Sequence, residues 1–284
     1  FIMFQINWKL KSILYRIFSY LKFNVLFYLI QKHITKTSRI NLKKVNDIWK
    51  FHANVIKKHN LRALLEIGAG KSLEQNIYLA YLFSNEVKQT VIDITKMVDL
   101  NLFNEANKQI SKILSTEKKE EVKTIKDLEN FYNIRYLAPF KLDQFLESNE
   151  KFDICISTNT LEHIPKKDLN NIFFTLNKII SPNKFVSSII DYSDHYSHTD
   201  KNISKLNFLK YSDHSWQKYN NPYLYQNRLR HQDYEKIFID NKFRITKIFK
   251  GNMLEKTNEI NNKFDKDNED TYLSWAHYLV ENKG

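Results

Sequence analysis

The sequence predicts a doubly wound α/β protein: a seven-stranded, mostly parallel sheet with an N-terminal helical extension. Three observations carry this. From about residue 61 onward, short β-rich runs alternate with helical stretches, the order that buries a parallel sheet beneath helices on both faces. Glycine is scarce: four residues, against roughly twenty for an average composition, yet two of them stand one residue apart in Gly68-Ala69-Gly70. The charge is localised as well. Residues 1–60 hold twelve Lys or Arg and one acid, Asp47, whereas the other 224 residues hold 32 bases and 31 acids.

The extension, residues 1–58, reads as a basic amphipathic helix. Ile6, Leu10, Ile13, Leu14, Ile17 and Leu21 recur at three- and four-residue steps, with Lys9, Lys11, Arg16 and Lys22 away from that stripe. Three readings stay open for it: an appendage packing its stripe on the main domain or another subunit, peripheral membrane contact through residues 1–35, or a nucleic-acid arm. No membrane span is expected in it, because its longest uncharged stretch, Phe23 to Gln31, has nine residues where about twenty are needed. No signal peptide is expected either, since no small-residue cleavage site follows the apolar run.

Within residues 59–284 the first strand is Ala63 to Ile67, and a helix follows the glycine pair from about 72 to 83. Gln89 to Ile94 forms a second strand. Residues 97–132 read as helical, with Glu117 to Glu121 a solvated face. Asn133 to Leu137 and Phe152 to Ser157 are the third and fourth strands, and a helix follows near 167–180. Lys184 to Ile190 is a fifth strand after a Ser181-Pro182-Asn183 turn, and Phe243 to Phe249 and Tyr272 to Val280 close the sheet. The aromatic-rich interval 192–232 is long for a connection, which points to a substrate-binding insertion or lid. With a single cysteine, Cys155, neither an intrachain disulfide nor a cysteine-rich metal site is available, and a reducing, cytoplasmic setting is expected.

Ligands of such sheets bind beyond the carboxyl ends of the strands, where the strand order reverses. Glycine lets a backbone turn tightly and approach a ligand there. Asp93 ends the second strand, twenty-five positions after Gly68, where a carboxylate can accept two hydrogen bonds from a ribose diol. A complete G-x-G-x-x-G is absent, since Ser72 and Leu73 follow Gly70 without a third glycine. That counts against a dinucleotide-binding dehydrogenase.

Leu65-Glu66-Ile67-Gly68-Ala69-Gly70, Asp93, and Phe152 to Ser157 followed by Leu161-Glu162-His163-Ile164 resemble the class I S-adenosylmethionine-dependent methyltransferases. The resemblance covers residues 61 to about 280. It implies a Rossmann-like fold, methyl transfer, and S-adenosylmethionine as cofactor. It further implies that Glu66, Gly68, Ala69 and Gly70 hold the methionine end, Asp93 the ribose, Ile94 the adenine face, and Ala138 and Pro139 the adenine pocket. An acid is frequent at that pocket, and Asp143 is the nearest here. Thr158 would lie beside the transferable methyl group.

For the acceptor, Asp191 to Asp200 gather three acids and two histidines after the fifth strand. Transfer to an oxygen needs the acceptor proton removed, and histidine is the usual base near neutral pH. His195 is the expected base, Asp191 its orienting partner and His163 the second candidate. Carboxylates with imidazole also allow a divalent metal, but spacing alone closes no ligand set and no metal residue is assigned. Trp216, Tyr225, Arg228 and Arg230 are expected to contact a sugar-containing or phosphorylated small acceptor. This stretch loosely resembles bacterial methyltransferases of surface-glycan and secondary-metabolite assembly, and a site at the inner face of the membrane would suit the basic extension. A nucleic-acid (RNA) methyltransferase and a non-catalytic scaffold of the same fold are the rival readings. Against the first stand the near-neutral body and Ser157-Thr158-Asn159-Thr160, where amino-methylating enzymes carry an Asn/Asp-Pro-Pro-aromatic motif.

Overall fold

The computed structural model describes residues 6–21, 23, 40–257 and 259–284. Lys22 and the uncharged run beyond Phe23 lie outside the described residues. In chain order the elements are α1 (Trp8–Tyr20), α2 (Asp47–His59), β1 (Ala63–Ile67), α3 (Glu74–Leu82), β2 (Lys88–Ile92), α4 (Leu100–Leu114) and α5 (Ile125–Tyr132). They continue with β3 (Ile134–Leu137), α6 (Gln144–Ser148), β4 (Phe152–Thr158), α7 (Lys166–Ile179), β5 (Ile180–Asp191), α8 (Asp213–Gln217), α9 (His231–Asp240), β6 (Phe243–Lys250) and β7 (Trp275–Asn282).

The strands form one seven-stranded sheet in the order β3-β2-β1-β4-β5-β7-β6. β1 pairs in parallel with β2 and β4, β2 with β3, and β4 with β5; β7 runs antiparallel between β5 and β6. This is the doubly wound, mostly parallel sheet expected. The chain builds outward from β1 to β3 and returns to β4 on the other side of β1, so the reversal lies at the carboxyl ends of β1 and β4. Alternate residues feed opposite faces: Leu64, Ile154 and Ile156 join a core with α2 to α5, while Leu65 and Cys155 join another with α7 and α9.

The run 97–132 is two helices rather than one. Ser115 caps α4 in the left-handed region (φ +52). The segment that follows gives its backbone to side chains: Asn104 takes both Val122 polar groups, Asn107 the Lys119 carbonyl, and Tyr132 the Glu120 carbonyl. A helix would forfeit those bonds. No turn separates α7 from β5, which begins at Ile180; Asn183 instead adopts φ +60 within the strand.

The extension also packs differently. The 58/59 boundary falls at the end of α2, whose Trp49, Ala53 and Ile56 belong to the core of the main body. In α1 the aliphatic stripe faces outward, with Ile6, Leu10, Ile13, Leu14, Ile17 and Leu21 each 36–53% exposed. The docking face is aromatic and basic. Trp8 is buried among Tyr196, Tyr211, Trp216 and Tyr219, its backbone N–H donates to Asp200 at 2.9 Å, and Arg16 reaches the carbonyls of Gln217 and Asn220. Residues 192–232 thus share a separate core with Trp8 and with Ile260, Phe264 and Tyr272 from the segment before β7. Among the described residues no helix is long and apolar enough to cross a membrane.

Candidate active site

The turn after β1 is built as its glycines require. Gly68 and Gly70 have φ +78 and +76, a region closed to most side chains. A Cβ on Gly68 would meet Thr160 Cγ2 at 2.5 Å, while one on Gly70 would meet nothing within 4 Å. The Thr160 hydroxyl donates to the Gly68 carbonyl at 3.2 Å, tying this turn to the one after β4. Leu73, at the place of the missing third glycine, takes the same left-handed conformation (φ +50, ψ 34) with its side chain fully buried. Core packing of the leucine offsets the strain of order 1–2 kcal/mol.

Glu66 does not face the crevice. Its carboxylate accepts from Gln75 Nε2 at 3.0 Å and from Asn76 Nδ2 at 2.6 Å, so it ties β1 to the first turn of α3. Burial pushes this carboxyl up to about 8, with Asn76 opposing and the charge of Asp93 adding. A folded-state value raised above the ordinary 4.5 contributes stability that is complete below pH ~4.5 and lost as the pH rises through about 8. Urea denaturation at pH 5 and pH 9 should therefore show the wild type losing on the order of a few kcal/mol across the interval. Glu66→Gln should lose clearly less, and equal losses would contradict the assignment.

Asp93 lies beyond the end of β2, next to the turn: Gly68 N–H donates to the Ile92 carbonyl at 3.4 Å. Tyr136 donates to Asp93 Oδ2 at 3.1 Å, leaving capacity for further donors. Burial raises Asp93 to about 6 despite that bond, so at neutral pH it is ionised and can accept. Beside it opens a cleft of about 760 Å³ lined by Ile94, Pro139, Phe140, Lys141, Asp143 and Gln144 among others. Ile94 is 80% exposed at its lip, where a planar ring could cover it. Ile94 and Pro139, both expected at the adenine, thus share one cleft, which Asp143 also lines; Ala138 packs instead against the core.

Thr158 turns its hydroxyl inward. It donates to Gln75 Oε1 at 3.0 Å and meets His52 Nε2 at 3.1 Å. His52 Nδ1 meets Ser187 Oγ at 2.7 Å, and Ser187 meets His277 Nε2 at 2.8 Å. One polar chain therefore runs from β7 through α2 to Glu66. Gln75, Asn76 and His52 escape a reading of the sequence, although Gln75 and Asn76, polar yet buried in the first turn of α3, face the end of β1.

At the end of β5 the expected pair is formed: His195 Nε2 lies 3.5 Å from Asp191 Oδ2. His163, on the short turn after β4, packs edge-on against His195 with ring centres 4.7 Å apart. The loop is held by Gln226, which accepts from the His195 N–H and donates to the Ser193 carbonyl, both at 2.9 Å. Burial pushes the Asp191 carboxyl up, but His195 and Ser193 outweigh it and hold it below the usual range. Burial, then His195, lowers His163. The other two acids of the cluster serve elsewhere. Asp194 accepts from Tyr196 N–H and Asn207, and Asp200 from Trp8 and Asn202.

Three expected acceptor contacts are corrected. Trp216 is buried in the core shared with Trp8. Arg228 donates to the carbonyls of Phe208 and Tyr211 and pairs with Asp213. Arg230 donates to those of Tyr192, Thr271 and Leu273. Both guanidinium groups are thus engaged by carbonyls and a carboxylate inside the fold. Tyr225 stays at the site, its carbonyl accepting from His163 Nδ1 at 2.6 Å. Glu162, buried beside His163 and within reach of both histidines, is a member of the cluster to which the sequence reading gave no role.

No family model and no curated protein matches the sequence. Among solved structures, the chain is similar to a CurJ carbon methyltransferase, at 13% identity over 84% of this chain and TM-score 0.46, and spans about half (53%) of that protein. It is similar to a magnesium protoporphyrin IX methyltransferase from Synechocystis with bound SAH, at 14% identity, 97% and 100% coverage and TM-score 0.45. A third is an S-adenosylmethionine-dependent methyltransferase from Clostridium acetobutylicum, at 14% identity, 92% and 99% coverage and TM-score 0.46. At such identities no residue takes its role from another protein.

Proposed function

We propose that the chain is an S-adenosylmethionine-dependent methyltransferase that methylates an oxygen of a small hydroxylated acceptor. The observation that carries the reading is the pairing of two unlike sites across the crevice of the sheet. On the β1–β2 side, a left-handed glycine turn, an ionised Asp93 and an apolar-lipped cleft suit a nucleoside. On the β4–β5 side, Asp191, His163 and His195 suit activation of a hydroxyl. A sulfonium donor needs no activation by the enzyme, so a nucleoside site facing an imidazole–carboxylate cluster is a sufficient constellation. Gly68 and Gly70 offer backbone to the donor, and Asp93 accepts from its ribose. His195 with Asp191 contacts the acceptor oxygen.

A nucleotide panel tests the donor. S-adenosylhomocysteine at a hundred times its dissociation constant should stabilise the fold by about 2.7 kcal/mol, raising the melting temperature, while ATP and NAD leave it unchanged. Stabilisation by NAD or ATP without S-adenosylhomocysteine would overturn the reading.

A further inference from the structure

Glu162 has no task in hydroxyl activation by His195 and Asp191 alone. It is 3% exposed; among the described residues its Oε1 receives the Asp191 N–H, at 3.4 Å, and its Oε2 has no hydrogen-bond partner. A buried carboxyl group in that state is costly unless a cation or donor meets it. What stands beside it is a pair of imidazoles. One ligand atom from each of Glu162, His163 and His195 lies within 4.8 Å of the other two. Ligands held at about 2.1 Å around a tetrahedral ion lie roughly 3.4 Å apart, so small rotations bring these three onto one centre.

The imidazoles are prepared for it. The Tyr225 carbonyl, 2.6 Å from His163 Nδ1, can only accept, so Nδ1 carries the proton and Nε2 keeps its lone pair. A backbone carbonyl on the far nitrogen is the usual way a metal-ligating histidine is oriented. His195 Nε2 is buried and faces Asp191 Oδ2 at 3.5 Å, so a metal ion at Nε2 would take the place of the proton between them.

We propose that Glu162, His163 and His195 bind a first-row divalent transition-metal ion, with Asp191 as an adjoining carboxylate. The inference deepens the reading of this cluster as the acceptor end. Two imidazoles and a carboxylate select manganese, iron, cobalt, nickel or zinc over magnesium and calcium, which prefer all-oxygen shells. Three protein ligands leave coordination positions for a hydroxylated acceptor.

The test uses the full chain, stripped with a chelator and titrated with Co²⁺ by visible absorption and with Zn²⁺ by calorimetry. S-adenosylhomocysteine binding is measured on the same samples. One equivalent of Co²⁺ should bind with d–d bands. Glu162→Gln and His163→Ala should each weaken it at least tenfold while still binding S-adenosylhomocysteine. His198→Ala should bind as the wild type, since His198 is 53% exposed and outside the set. The inference is overturned by a wild type that binds S-adenosylhomocysteine but no Co²⁺, or by Co²⁺ affinity that survives Glu162→Gln or depends on His198. A chain that binds Co²⁺ with this variant pattern but no S-adenosylhomocysteine supports the metal site and removes the methyltransferase reading instead.

Discussion

Replacing His195 by alanine is expected to lower methyl transfer by roughly 10²–10⁴ and leave S-adenosylhomocysteine affinity within about twofold of the wild type. The two halves of that result come from geometry. His195 sits beyond β5 beside Asp191, on the opposite side of the crevice from the glycine turn and Asp93. Its backbone is held by Gln226, so truncating the ring leaves the loop anchored. Release of S-adenosylhomocysteine from labelled donor, followed over a panel of hydroxylated acceptors, measures the first half, and calorimetry measures the second. Undiminished turnover would refute the role of His195. Loss of cofactor affinity would show that the cluster belongs to the donor site.

Replacing Arg230 by alanine is expected to destabilise the fold by about 3 kcal/mol or more, because three buried carbonyls lose their donor at on the order of 1–3 kcal/mol each. Those carbonyls belong to Tyr192, Thr271 and Leu273, so the guanidinium joins the end of β5 to the approach to β7. No carboxylate pairs with it among the described residues. Its charge rests on the carbonyls and on the Tyr192 ring, 5.0 Å from its centre, and burial lowers it to about 10. For a chain of this length the change corresponds to a fall of roughly 6–12 °C in melting temperature. Arg230→Lys should recover only part, since an ammonium lacks the planar fork. An acceptor-binding arginine would behave oppositely, with stability within about 0.5 kcal/mol of the wild type and a raised KM.

The contrast between Asp93 and Arg230 shows what a sequence can and cannot disclose. Gly68, Gly70 and Asp93 are legible because each is local: a strand, a turn only glycine takes easily, and an acid at the next strand's end. Leu73 has the same left-handed backbone, but a leucine carries no such signal. The His195–Asp191 pair is legible at i, i+4, whereas Glu162 becomes part of the site only when β4 and β5 lie side by side. Long-range packing also decides α1. Periodicity finds its aliphatic stripe correctly, yet the partner it meets is an aromatic pocket some two hundred residues away, and Trp8 and Arg16 fit that pocket better than the aliphatic row does. For the same reason arginines and a tryptophan that read as ligand contacts serve as internal ties.

The most direct test of the donor site is calorimetric titration of S-adenosylhomocysteine into the wild type and Asp93→Ala. Two charge-assisted hydrogen bonds to a ribose are together worth about 3 kcal/mol or more, so the variant should bind at least about a hundredfold more weakly. Wild-type affinity should also fall as the pH drops below about 6, where Asp93 becomes protonated. A wild type that does not bind S-adenosylhomocysteine, or an Asp93→Ala variant that binds it equally well, would contradict the account.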